Sequence, residues 1–192
     1  MSSEQPASGA VVGRMRAWVE HAVIGLNLCP FAKAVQVREQ IRYVATPATD
    51  ADALLQVLCD ELHRLAAADP ATLETTLLIH PQVMNDFLDF NDFLEAADGA
   101  VDALGYTGVL QVASFHPMYQ FEGTSANDIT NASNRSPFPT LHLLRETSID
   151  RAIQMFDDTD DIFRDNVRTL QALGPEGWAA VQARIDQAGD PG

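Results

Sequence analysis

The chain has 192 residues, 46% of them hydrophobic, and carries 27 acidic against 12 basic side chains for a formal net charge of −15. This length and apolar content suffice for one folded domain with a sizeable core, and they exclude a disordered chain. The acidic excess argues against nucleic acid and anionic membrane surfaces as partners, because both require a basic face.

Residues 1–9 are rich in Ser, Pro and Gly and read as a frayed tail, residues 10–188 as a single domain, and residues 189–192 as a second tail. The first residues lack the basic and apolar segments of a secretory leader, and no stretch is apolar over the roughly 18–20 residues of a membrane span. Cys29 and Cys59 show no metal-type or disulfide spacing, so a reducing cytoplasm is the expected location. From Ala10 onward, Val11, Met15, Trp18, Val19 and Ala22 recur at helical spacing. Gly25 and Pro30 bracket the end of that helix, and LNLCPFA makes a turn or a short second helix.

Ile41 to Thr46 alternates and is β-branched, which predicts a strand. Asp50 is placed to cap a helix carrying Leu54, Leu55, Leu58, Leu62 and Leu65, which Asp69-Pro70 ends. Thr75 to Ile79 predicts a short buried strand running into His80-Pro81. A helix from about Asn85 carries Phe87, Phe90, Phe93, Leu94, Ala97, Val101 and Leu104, and Gly105 is a natural C-cap. Val109 to Phe115 is nearly continuous apolar sequence, as in a strand buried on both faces. Ser136-Pro137 reads as the N-cap and first position of a helix, with Leu141 to Phe156 helical. The acidic run Asp157 to Asp161 opens a further helix and lacks the Gly and terminal Glu of a calcium loop. Helices near Ile162–Leu173 and Glu176–Ala188 finish the chain.

This order predicts an α/β fold. A βαβαβ core would give a three- to four-stranded, mainly parallel sheet with helices packed on it and a helical C-terminal part. The alternative is an α+β sandwich with an antiparallel strand pair that uses Val35–Val37.

Two strands end in His-Pro, and proline stops a strand by removing the next ladder donor. If these strands are parallel neighbours, His80 and His116 meet at the carboxyl edge, where open α/β sheets bind ligands. His116 is then a candidate general acid/base, with His80 or Glu146 orienting it. Asn134, Arg135, Ser136 and Arg145 would cradle a carboxylate or phosphate at a helix N-terminus. The alternative partner for Arg135 is a structural carboxylate such as Asp128. Asn127, Asn131 and Asn134 line that loop or build its turns. His142 and Glu146, four apart on the predicted helix, could join His116 or His80 around a divalent cation that activates water for hydrolysis. The plainer role of His80 and His116 is to cap a backbone carbonyl and close a strand, and that of His142 and Glu146 is a surface pair. Cys29-Pro30-Phe31 begins like a glutaredoxin motif but continues with Ala32, so a buried inert thiol competes with a nucleophile. Cys59 is expected in the core.

LNLCPFA, TTLLIHP, QVASFHPMYQF and TNASNRSPFPTLHLLRE together resemble an uncharacterised bacterial family, domain of unknown function 1415. The resemblance runs from about Trp18 to Ile153 and implies no activity. The residues themselves point to a cytosolic enzyme or binder of a small anionic ligand. A metal-dependent hydrolase and a non-catalytic interaction protein, its polar loop a docking surface, are the alternatives.

Overall fold

Four strands, β1 (Ile41–Ala45), β2 (Thr75–Ile79), β3 (Leu110–Phe115) and β4 (Thr140–Arg145), form one sheet in the order β1-β2-β4-β3. The computed structural model describes residues 8–154 and 159–188. β1 pairs in parallel with β2, while β4 pairs antiparallel with both β2 and β3. The sheet is therefore mixed rather than mainly parallel. β1, β2 and β3 still run the same way, as a βαβαβ core requires, but β4 is inserted between the second and third of them. Val35–Val37, the strand of the α+β alternative, lies in helix α2 (Ala32–Val37).

The insertion of β4 overturns the helix predicted at Ser136. The chain bends at residues 137 and 138, and the Pro139 carbonyl accepts the His80 N–H at 3.0 Å, joining the end of β2 to the start of β4. From there the side chains alternate. Leu141, Leu143 and Arg145 are buried on one face of the sheet, whereas His142 and Leu144 on the other are partly covered. That period of two is a strand's, not a helix's.

Helices cover both faces. On one, Leu54, Leu58, Leu62 and Leu65 of α3 (Ala51–Ala67) and Phe90, Phe93, Ala97 and Val101 of α4 (Phe87–Ala103) pack against Leu78, Leu110, Leu141 and Leu143. The four α3 leucines are wholly buried, each stabilising the fold by about 1.5–3 kcal/mol relative to exposure. On the other face, α1 (Ser8–Trp18), the π-helical turn Val19–Ile24 and α6 (Thr159–Ala188) pack against Leu77 and Ile79 through Met15, Trp18, Ala22, Leu170 and Trp178. Within α6, Gly174 takes φ 66° ahead of Pro175, which breaks it into the two predicted pieces. Between β4 and α6 runs α5 (Glu146–Gln154).

The caps follow the sequence. Asp50 accepts the Ala53 N–H at the start of α3, and Asp86 accepts those of Leu88 and Asp89 at the start of α4. Both helices begin at the carboxyl edge of β1–β3. At the opposite edge, buried Arg145 donates from Nη2 to the carbonyls of Leu65, Ala68 and Leu73, closing the C-terminus of α3. Buried Glu61 takes a two-pronged hydrogen bond from Arg42 on the edge strand, at 2.7 and 3.0 Å. Ser8 and Gly9, expected in the N-terminal tail, are helical; the rest of both predicted tails lies outside the described residues, as do Asp157 and Asp158 of the acidic run, whose remaining residues begin α6.

Candidate functional site at the carboxyl edge of the sheet

His80 and His116 do reach one edge and one face. Both follow strands that point the same way, both are fully buried, and both rings contact Phe90, at centroid distances of 5.5 and 5.2 Å. They are not on neighbouring strands, because β4 stands between and sets their backbones about 10 Å apart.

Their hydrogen bonds fix their tautomers. The His116 Nδ1 accepts the Met118 N–H at 3.0 Å, so Nε2 bears the proton and donates to the Met84 carbonyl at 3.1 Å. The His80 Nδ1 donates to the Val83 carbonyl at 3.0 Å, which leaves a buried Nε2 lone pair without a partner among the described residues. Burial pushes the His80 imidazolium pKa down to about 4 and lowers that of His116, although the Met84 carbonyl and Asp86 pull His116 back. Two neutral rings thus clamp the turn 80–86, whose Met84 adopts φ 58°. In this arrangement both nitrogens of His116 are engaged by backbone.

The residues proposed for the cation do not assemble. His142 pairs across the ladder with Ala113 and packs on Phe115, on the face away from Phe90, while His116 lies on the Phe90 side. Thr75 Oγ1 donates to the Leu143 carbonyl at 2.6 Å and accepts from His142 Nε2 at 2.8 Å. Burial of the ring lowers the His142 pKa to about 4. Glu146 begins α5 at the far edge, one residue past Arg145, about 17 Å along β4 from Thr140. The His116, His142 and Glu146 set fails because β4 is a strand: it sends its third residue, His142, to the wrong face and its end to the wrong edge. Among the described residues no group of three His, Cys, Asp or Glu side chains could hold a metal ion.

The proposed anion cradle divides the same way. No helix starts at Ser136, whose hydroxyl donates to the Phe138 carbonyl at 2.6 Å. Asn134 gives its carbonyl to the His116 N–H and its side-chain amide to the Ser114 carbonyl. Arg145 is at the opposite edge. Arg135 remains, just after a short 3-10 helix, Ile129–Asn134. Its Nε donates to the Tyr119 carbonyl at 3.0 Å and its Nη2 to that of Ala126 at 2.7 Å. Three of the five guanidinium donors are left without a partner among the described residues. Asp128, the suggested partner, instead caps the 3-10 helix through Thr130. Arg135 is half-buried, and burial alone lowers its pKa, with no carboxylate acting on it. Buried Asn131 fixes the rest of the loop, accepting from the Phe121 N–H and the Thr124 hydroxyl and donating to the Ser125 carbonyl.

The same loop carries rings that the polar reading of this stretch passed over. Phe87 lies 5.4 Å from His116, Tyr119 5.3 Å from Phe87, Phe121 5.0 Å from Tyr119 and Phe163 6.0 Å from Phe121. The signal was present as Met-Tyr-Gln-Phe, an aromatic pair at two-residue spacing inside an otherwise polar loop. Cys29 is partly exposed in the turn before α2, where its carbonyl accepts the Ala32 N–H, so it is not fully buried. Cys59 is likewise only partly covered, contrary to the core position expected for it, and burial raises its thiol pKa.

Fold and site together define a three-layer α/β protein, helices on both faces of a mixed sheet, with one arginine-braced loop at the carboxyl edge. The chain belongs to the family described as Protein of unknown function (DUF1415), whose model matches residues 10–180. No curated protein and no solved structure matches it.

Proposed function

We propose that this chain is a binder of a small carboxylate- or phosphate-bearing molecule, with Arg135 as the anion-holding residue at the carboxyl edge of the sheet. One observation carries this reading: a half-buried guanidinium, braced by two loop carbonyls, has donors to spare and no acidic partner among the described residues, in a strongly acidic chain. A guanidinium so held is already oriented, so little side-chain entropy is lost when an anion arrives. His80 and His116 serve the site by fixing the turn beside it. The two free cysteines support a reducing cytoplasm as its location, and no helix among the described residues is long and apolar enough to cross a membrane.

Acetate and inorganic phosphate are the probes. Each should raise the melting temperature of the wild-type chain at tens of millimolar beyond the rise given by sodium chloride of equal ionic strength, and Arg135→Gln should shrink that excess to the part due to exclusion from the surface while moving the unliganded melting temperature by no more than about 3 °C. An excess over chloride as large in Arg135→Gln as in wild type, or no excess with either anion, would refute the assignment.

A further inference from the structure

Building on the anion reading of Arg135, we propose that the molecule it holds is an aromatic carboxylate, whose flat body lies along Tyr119, Phe121 and Phe163. The carbonyl that braces the Arg135 Nε belongs to Tyr119 itself, so charge and ring sit on the same loop. The path of rings begins at buried His80 and ends at Phe163, which is 54% exposed. Each neighbouring pair is 5.0–6.0 Å apart. Tyr119 and Phe121 are half-buried, and Met118 beside them is 60% exposed. Single exposed apolar side chains are ordinary, but a connected aromatic path that runs to the surface through a loop whose arginine has no acidic partner among the described residues is the composition of a site for a flat apolar anion.

Where the path surfaces, Phe163 shares an open face of α6 with Asp161, Arg164, Val167 and Arg168. The arginines there are matched locally, Arg164 to Asp161 and Arg168 to Asp165, so that face offers apolar surface with its charge balanced. Inorganic phosphate and acetate can use the guanidinium alone. A ring system carrying a carboxylate uses both, gaining edge or offset contact with Tyr119 and Phe121 that a small anion cannot make.

The test compares 2-naphthoate with acetate and inorganic phosphate by isothermal titration calorimetry on the full chain. 2-Naphthoate should bind at least about tenfold more tightly than acetate, the increment expected from one or two aromatic contacts. Phe121→Leu keeps an apolar side chain and should remove most of that preference without weakening acetate. Phe163→Ala, at an exposed position where folding is not at stake, should reduce it in the same direction. Arg135→Gln should abolish binding of all three. Equal affinity for naphthoate and acetate, both lost in Arg135→Gln, would overturn the aromatic proposal and leave the anion site standing. So would phosphate binding more tightly than naphthoate. Naphthoate binding unchanged in Arg135→Gln would overturn it too, and no binding by any probe would end both.

Discussion

Arg135 and Arg145 are ten residues apart in the sequence, yet their chemistry differs because of what surrounds them. Arg145 is buried and meets three carbonyls at the end of α3. Removing it leaves those acceptors without a donor, so Arg145→Met should lower the free energy of unfolding by about 2–4 kcal/mol, measured by urea titration; a loss below about 1 kcal/mol would contradict the structural role. The histidines add a pH dependence. His80 and His142 have pKa values lowered to about 4 against an ordinary 6.5, and His116 is lowered in the same direction. A depressed imidazolium pKa means the unfolded chain takes up protons before the folded one. Stability is therefore complete above pH 6.5 and falls as the pH drops from there toward about 4, with a slope of up to about 1.4 kcal/mol per pH unit for each ring. Asp128, depressed below its ordinary 3.8, contributes its loss only under more acid conditions. The urea midpoint should fall between pH 6.5 and 4.5, and His80→Asn, which keeps a donor for Val83 without titrating, should flatten part of that fall. A profile identical to wild type would show that His80 is not among the groups responsible.

At the level of elements, periodicity carried most of the fold. The α3 and α4 stripes, the Asp50 cap, β1, β2, β3, and Gly105 at φ 74° all follow from local chemistry. β4 did not, and the reason is physical. A central strand covered on one face and partly on the other gives a short run such as LHLLR, which fits a buried helix as well as a strand, and Ser136-Pro137 looked like a helix start. Only pairing partners distant in the sequence decide between them. The His80 and His116 edge was legible because His-Pro ends a strand locally, whereas the metal set and helix-start cradle depended on the state of residues 140–146 and fell with it. The π-helical turn is another feature beyond sequence patterns. Gly25 follows it, and a Cβ there would stand 2.3 Å from the His21 carbonyl oxygen, a backbone atom that cannot step aside cheaply. Gly25→Ala should cost on the order of 2 kcal/mol through forced backbone movement, read from the urea midpoint. Gly99→Ala, within α4 and with open space around the new methyl, should be neutral or slightly stabilising. If the two variants matched, the tight turn after Val19–Ile24 would not be as drawn.

Across the whole molecule, a net charge of −15 repels itself in the compact state, and it opposes the approach of the anion that Arg135 is proposed to hold. Several surface bases are already answered locally: Arg14 by Asp186, Arg151 by Glu74, and Arg164 and Arg168 by aspartates one turn earlier. The long-range field is thus acidic even though the carboxyl-edge loop presents a cation. Salt screens the field over a Debye length of about 8–10 Å at physiological strength. Raising sodium chloride from 20 to 300 mM should therefore stabilise the fold by about 1 kcal/mol, or roughly 2–4 °C in melting temperature for a chain of this size. Sodium phosphate at matched ionic strength should add to that for two separable reasons: it is excluded from protein surface in general, and it occupies Arg135 in particular. Only the second contribution disappears in Arg135→Gln. The difference between phosphate and chloride should accordingly be larger in wild type than in the variant, while the chloride response stays the same in both. A phosphate increment of equal size in the two proteins would assign all of it to exclusion from the surface and leave Arg135 with no anion to hold.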